Sequence, residues 1–129
     1  MINPDSVGRT FKGAESITIT QSQIDAFAAA IGESERSVAP PTFSIRITLP
    51  EFESILTQPD IGVDWRRVVH GDQSFEIYRP IVAGDIFTCS ATIESLRVVS
   101  GNEIISVRND LHNRSELVVS SWATLVVRG

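Results

Sequence analysis

Apolar residues recur at two different periods along this chain, and the switch between them divides it. Residues 1–15, interrupted by Pro4, Gly8 and Gly13, hold neither period and predict an irregular lead-in. Ser16-Ile17-Thr18-Ile19-Thr20 alternates and predicts a first strand. Ile24, Phe27, Ala28 and Ile31 then follow at helical spacing. Thr20 with Gln23 forms a capping box before them and Gly32 stops the run, predicting a helix over 21–31. Thr42 to Thr48 is ambiguous, because Phe43, Ile45 and Ile47 alternate as they would in a strand. Directly after it, Thr48 and Glu51 form a second capping box with Pro50 in the first turn, and Phe52, Ile55 and Leu56 share a face. That predicts a helix over 49–57, ended by Pro59-Asp60-Ile61-Gly62.

From Arg67 onward the period is two. Phe75 and Ile77 alternate with Ser74, Glu76 and Tyr78, and Pro80 ends that strand because it has no N–H to give a ladder. Ala83-Gly84-Asp85 turns the chain into a strand with Phe87, Cys89, Ala91 and Ile93 on one face. The alternation slips at Glu94-Ser95, where a bulge is expected. Ser100-Gly101-Asn102 predicts a hairpin, Glu103–Leu111 returns, and His112-Asn113-Arg114-Ser115 turns again. Leu117–Val127 is apolar on both faces, as a central strand would be. Helix stripes and a half-apolar antiparallel sheet must bury one another, so the pattern reaches a two-layer α+β domain spanning 1–129.

Composition narrows the function classes. With 129 residues, 42% hydrophobic and 21% charged, the chain suits one globular domain. A net charge of −5 opposes nucleic-acid binding. No apolar run is long enough for a membrane span, and the opening Met1-Ile2-Asn3-Pro4-Asp5 has neither the basic nor the apolar region of a signal peptide, so neither membrane nor nucleic acid is expected as a partner. The single cysteine, Cys89, excludes an internal disulfide and fits a reducing cytoplasm. It falls on an apolar strand face, where it reads as core rather than nucleophile.

Four stretches together are more specific than their periodicity. They are Ala39-Pro40-Pro41-Thr42-Phe43, Val69-His70-Gly71-Asp72-Gln73-Ser74-Phe75-Glu76, Arg79-Pro80-Ile81-Val82-Ala83-Gly84-Asp85 and Ala123-Thr124-Leu125-Val126-Val127-Arg128. They resemble the MaoC-like hot-dog dehydratases, in particular the FAS1-like amino-terminal half and the A-type subunit of actinobacterial (3R)-hydroxyacyl-acyl-carrier-protein dehydratase. The resemblance implies a five-stranded antiparallel sheet wrapped around a central helix between Thr42 and Thr57, kinked or restarted at Pro50. It implies a hydro-lyase acting on an acyl thioester, on coenzyme A or acyl carrier protein, in a hetero- or homodimer of hot-dog subunits. Neither cofactor nor metal is needed for that chemistry.

Removing water from a hydroxyacyl thioester takes a base for the C2 proton and an acid for the leaving hydroxyl. The family carries these as an aspartate and a histidine in the loop after the first helix. The matching loop here, Gly32 to Pro40, holds no histidine and has Glu33 where the aspartate would fall. No catalytic residue is therefore assigned. His70, Gly71, Thr42 and Phe43 are expected to contact substrate. His112 is expected at the surface, Arg66, Arg67 and Arg79 are candidates for docking an acidic carrier, and Glu51 and Glu53 are accounted for by a helix first turn. The expected function is a non-catalytic dehydratase subunit paired with a dyad-bearing one. A homodimeric acyl-thioester-binding protein or thioesterase is the alternative.

Overall fold

The computed structural model describes residues 1–13 and 15–129; Ala14, in the lead-in, lies outside the described residues. Among the described residues the strands and α-helices follow in the order β1 (Thr10–Lys12), β2 (Ile17–Thr18), α1 (Gln21–Ile31), α2 (Ile45–Leu56), β3 (Val68–Ile77), β4 (Ile86–Val99), β5 (Asn102–Asn113) and β6 (Glu116–Val127), with short 3-10 turns at Pro4–Ser6 and Trp65–Arg67. The strands form one antiparallel sheet in the order β1-β4-β5-β6-β3, with β2 also on β4. The sheet thus has six strands rather than five. The extra one is β1, three residues of the lead-in that the period-2 pattern is too short to reveal.

The first helix forms where its signals place it. Thr20 accepts from the Gln23 backbone, the Gln23 side chain accepts from the Thr20 N–H, and Gly32 closes the helix at φ 74°. Ile24 and Ala28 are fully buried, whereas Ile31, past the packed stretch, is exposed. α2 differs from its expectation. It begins at Ile45, so the alternation of Phe43, Ile45 and Ile47 is not a strand, and Thr48 is an interior residue rather than a cap. Ser44 precedes it with no side-chain cap, and Pro50 sits within the helix. Burial overrides the local signals: Phe43, Ile47, Thr48, Phe52, Ile55 and Leu56 are all buried, and only a helix starting early turns them all inward.

The core lies between α2 and the concave face of the sheet, in two parts. Phe52, Ile55 and Leu56 pack with Ala91, Ile93, Ile105, Val107, Ala123 and Leu125. Phe43 and Ile47 pack with Ile24, Ile81, Phe87, Cys89, Leu111 and Val119. Polar residues stand between the two parts, Thr48 on α2, Asn109 on β5 and Ser121 on β6, with Ser44 buried just before α2. Their Oγ, Oγ1 and Nδ2 atoms are buried without hydrogen-bond partners in the protein. The expected bulge is present, as a register shift between Ile93 and Ser95, and Ser100-Gly101 turns the β4–β5 hairpin at φ 52° and 80°.

Candidate functional site

β3 is the last strand of the sheet, and its outer edge is unpaired among the described residues. Opposite β6 its register shifts between His70 and Asp72, leaving Gly71 as the bulged residue. A methyl group on Gly71 would meet only Thr124 O at 3.4 Å and the Val126 side chain at 3.6 Å, which is ordinary contact. The chain's own packing therefore does not demand glycine there. His70 is exposed beside the bulge, and its Nε2–H donates to Gln73 Oε1 at 2.9 Å. With Leu49, Trp65, Val68 and Leu125 it lines a cleft of about 170 Å³ joining α2 to the β3 edge.

A second cleft of about 170 Å³ lies at the far end of β3. Val38, Ala39, Pro40 and Pro41 form one wall, and Ile77, Pro80, Ile81 and Val119 form the other. Every lining residue is apolar, so the cleft suits a hydrocarbon chain. Thr42 is exposed next to it. Phe43 is fully buried, with its ring edge-to-face on Phe27 at 5.5 Å, and forms core behind the cleft rather than its surface. Thr42 and Phe43 thus lie beside this cleft without lining it, and of His70 and Gly71 only His70 lines the other. No hydrogen bond links the two pairs. Periodicity could not have found Ile77, Pro80, Ile81 and Val119 as a lining, because they meet only when β3, β6 and the crossover are folded.

Between β3 and β4 the crossover is pinned by charge. Arg79 Nη1 and Nη2 each donate to Asp85 at 2.9 Å, and Arg79 Nε donates to Glu116 at 3.0 Å. Burial alone would push the Asp85 carboxyl up; the Arg79 hydrogen bonds and one from the Val82 N–H outweigh it and hold it below the usual carboxylate range. Hydrogen bonding to Asp85 raises the Arg79 guanidinium further above its ordinary value. Arg79 is thus occupied within the fold. Arg66 and Arg67 are exposed and pair with Asp64.

Other candidates resolve by position. Glu33 accepts from the Glu35 N–H at 3.0 Å, and Glu35 accepts from the Ser37 N–H and hydroxyl at 2.8 and 2.6 Å. Ser37 keeps Glu35 below the ordinary carboxylate range. Cys89 is buried against Asn109, and burial pushes its thiol up to about 12, which leaves no thiolate at neutral pH. Glu51 is in the middle of α2, not in a first turn, and faces Gly13. His112 is the last residue but one of β5 rather than part of the turn, and is half-buried. No metal-ligating cluster occurs among the described residues, and no helix is long and apolar enough to cross a membrane.

Comparison with known proteins agrees with this architecture. Residues 33–121 match the model of the FAS1-like dehydratase domain region. A UPF0336 protein of Streptomyces griseus is 36% identical over 95% of this chain and 92% of its own length. One from Thermobifida fusca is 34% identical over 99% and 95%. The latter alignment runs over 144 positions against this chain's 129 residues, so the relative carries segments without counterpart here. Among solved structures, a chain of the C-terminally truncated HadBC (3R-hydroxyacyl-ACP dehydratase) complex from Mycobacterium tuberculosis superposes with a TM-score of 0.84, at 23% identity, over 97% of this chain and 99% of that one. A MaoC-like dehydratase matches with a TM-score of 0.85 at 23% identity, over 95% of this chain and 42% of that chain. The α+β hot-dog architecture is therefore shared with these dehydratases, and the chain belongs to the FAS1-like dehydratase family, alongside the actinobacterial UPF0336 proteins.

Proposed function

We propose that this chain is the non-catalytic subunit of a (3R)-hydroxyacyl-thioester dehydratase, paired along β3 with a hot-dog subunit that carries the Asp/His dyad. The observation that carries this reading is the loop from Gly32 to Pro40. Its two carboxylates, Glu33 and Glu35, are used to hold the loop's own backbone, and it contains no histidine. No group there can both take the C2 proton and return one to the leaving hydroxyl.

Two features support the pairing. β3 is ten residues long, and neither lysine nor proline protects its free edge. At the bulge, a methyl group on Gly71 would meet β6 only at ordinary contact distance, so packing within this chain does not require the glycine and a close approach by a partner is a reason for it. In this arrangement the apolar cleft beside Thr42 takes part of the acyl chain, while His70 and Gly71 sit at the seam and contact the thioester end. A protein with one buried cysteine and this chemistry fits the cytoplasm.

Co-expression with a hot-dog subunit bearing the dyad, followed by a crotonyl-thioester hydration assay, tests the reading. The complex is expected to be active and the isolated chain inert. His70→Ala in the complex should raise KM with kcat nearly kept, the mark of lost uniform binding. Robust hydration by the purified chain alone, abolished by His70→Ala, would overturn the proposal.

A further inference from the structure

On the convex face of the sheet, away from α2, three strands bring unlike residues into two adjacent rows. Lys12 of β1 lies opposite Ser90 of β4, and Thr88 of β4 lies opposite His112 of β5. Arg114, at φ 57° in the β5–β6 turn, stands at the end of the second row. Their inward neighbours, Cys89 and Leu111, are core, so Thr88, Ser90 and His112 project from the outer face, with Lys12 and Arg114 exposed at its rim. With Gly13 and Cys89 they line a cleft of about 370 Å³.

The lining runs against the charge of the molecule. The chain carries 16 acidic residues against 11 basic ones, yet this cleft holds its only lysine, an arginine and a histidine, and no carboxylate. Among the described residues Lys12 and Arg114 have no ion-pair partner, a state they share with Arg36, Arg46, Arg97 and Arg128, but they alone of these stand together in one cleft. The acid nearest in register is Asp110, opposite Ser90. It is occupied by the Ser120 hydroxyl at 2.6 Å and by Arg108 Nε at 3.4 Å. Glu15 and Glu51 line a separate cleft that Lys12 and Gly13 also border.

Two cations, an imidazole and two hydroxyls without partners make a donor-rich cradle, and a compact anion with several acceptor oxygens completes it. We infer that this cleft binds a phosphate group, at a site apart from the apolar cleft and independent of the acyl-thioester reading. Lys12 and Arg114 supply the charge, Thr88 and Ser90 the neutral donors, and His112 the third nitrogen donor. A phosphate monoester fits better than a carboxylate, because it offers three oxygens and nearly two charges to five groups arranged around it.

Titration of the full-length protein with sodium phosphate, followed by amide NMR against sodium chloride at equal ionic strength, tests this. Saturable shifts confined to residues 12–13, 88–90 and 112–114 are expected. Lys12→Gln and Arg114→Gln, both at exposed positions, should each weaken binding about tenfold or more while leaving the rest of the spectrum unchanged. Adenosine 3′,5′-bisphosphate and 4′-phosphopantetheine serve as further arms. Tighter binding of either ester than of inorganic phosphate supports the site and names the source of its phosphate; equal binding supports free phosphate as the ligand. Absence of saturable shifts, or unchanged affinity in the double variant, would overturn the inference.

Discussion

Along one side of the sheet β4 is covered by the chain's own first residues, and along the other β3 runs bare. Gly8 N–H donates to Ile93 O at 2.7 Å, Gly13 N–H to Cys89 O at 2.8 Å and Ile19 N–H to Asp85 O at 2.8 Å. With β1 and β2 between them, these bonds give an interrupted lead-in the work of a full edge strand. On the opposite side Val69, Ile77 and Tyr78 are exposed, and the outer backbone of Val68–Ile77 has no ladder partner among the described residues. Edges left like this invite another strand. Under the proposed pairing, the contrast separates stability on one side from assembly on the other, and substitutions on each should tell the two apart.

The largest effect is expected on the closed side. Phe87, fully buried and in register with Ile17, belongs to the core part that β2 covers. Phe87→Ala should cost about 3–5 kcal/mol in urea unfolding. A loss under about 1 kcal/mol would mean that the lead-in does not seal that end.

Asp85 comes next, because it ties the crossover from the open strand β3 to the closed strand β4. It is buried and bonded by Arg79 and Val82, so Asp85→Asn leaves the Arg79 charge without its closest partner and should cost about 3 kcal/mol. The pH dependence follows from the sign of its shift. A carboxyl held below its unfolded value, which is about 3.9, contributes stability above that pH and loses it as the pH falls through the folded value. Wild-type stability should therefore drop below about pH 4. The Asn variant should show a shallower acid limb, and identical limbs would mean that the pair carries no such linkage.

How much of this contrast is visible in the sequence depends on how local its causes are. The cap of α1 is written in Thr20 and Gln23, three residues apart, and forms as read. The bulge at Glu94 and the turn at Ser100-Gly101 are equally local. Thr48 and Glu51 carry the same pattern as Thr20 and Gln23 but cap nothing, since the apolar stripe from Phe43 to Leu56 is worth more buried than one satisfied hydroxyl. β1 is invisible because three residues hold no period and its partner is 80 residues away in the chain. The site divides likewise. His70-Gly71 is legible as a motif, whereas Ile77, Pro80, Ile81 and Val119 become a cleft, and Lys12, His112 and Arg114 a cradle, only through long-range pairing.

On the open side, smaller losses of stability should accompany larger changes in assembly. Val69→Lys with Ile77→Lys places two charges on exposed positions, so the fold of the subunit itself should change by about 0.5 kcal/mol or less per site. Association along β3 should weaken by about tenfold to a hundredfold, since both lysines lose water on pairing. Sedimentation velocity reads the difference directly. Unchanged assembly in the double variant, with wild type dimeric, would move the interface away from β3.

The smallest effect returns to the closed side and asks whether its exposed half matters at all. Thr10 Oγ1 and Thr92 Oγ1 lie 2.9 Å apart across β1 and β4, with Thr10 exposed to solvent. Such a cross-strand pair is worth roughly 0.2–1 kcal/mol. A double-mutant cycle of Thr10→Ala and Thr92→Ala should return a coupling in that range, with the NMR amide of Ile93, which donates to Arg9 O at 3.2 Å, exchanging faster in either single variant. The signs matter more than the size. If β1 is held mainly by its backbone and by Phe11 packing inward, the coupling falls to zero and the Ile93 amide stays protected. If the hydroxyl pair pins the strand, loss of either one lets β1 fray, and the closed edge begins to resemble the open one.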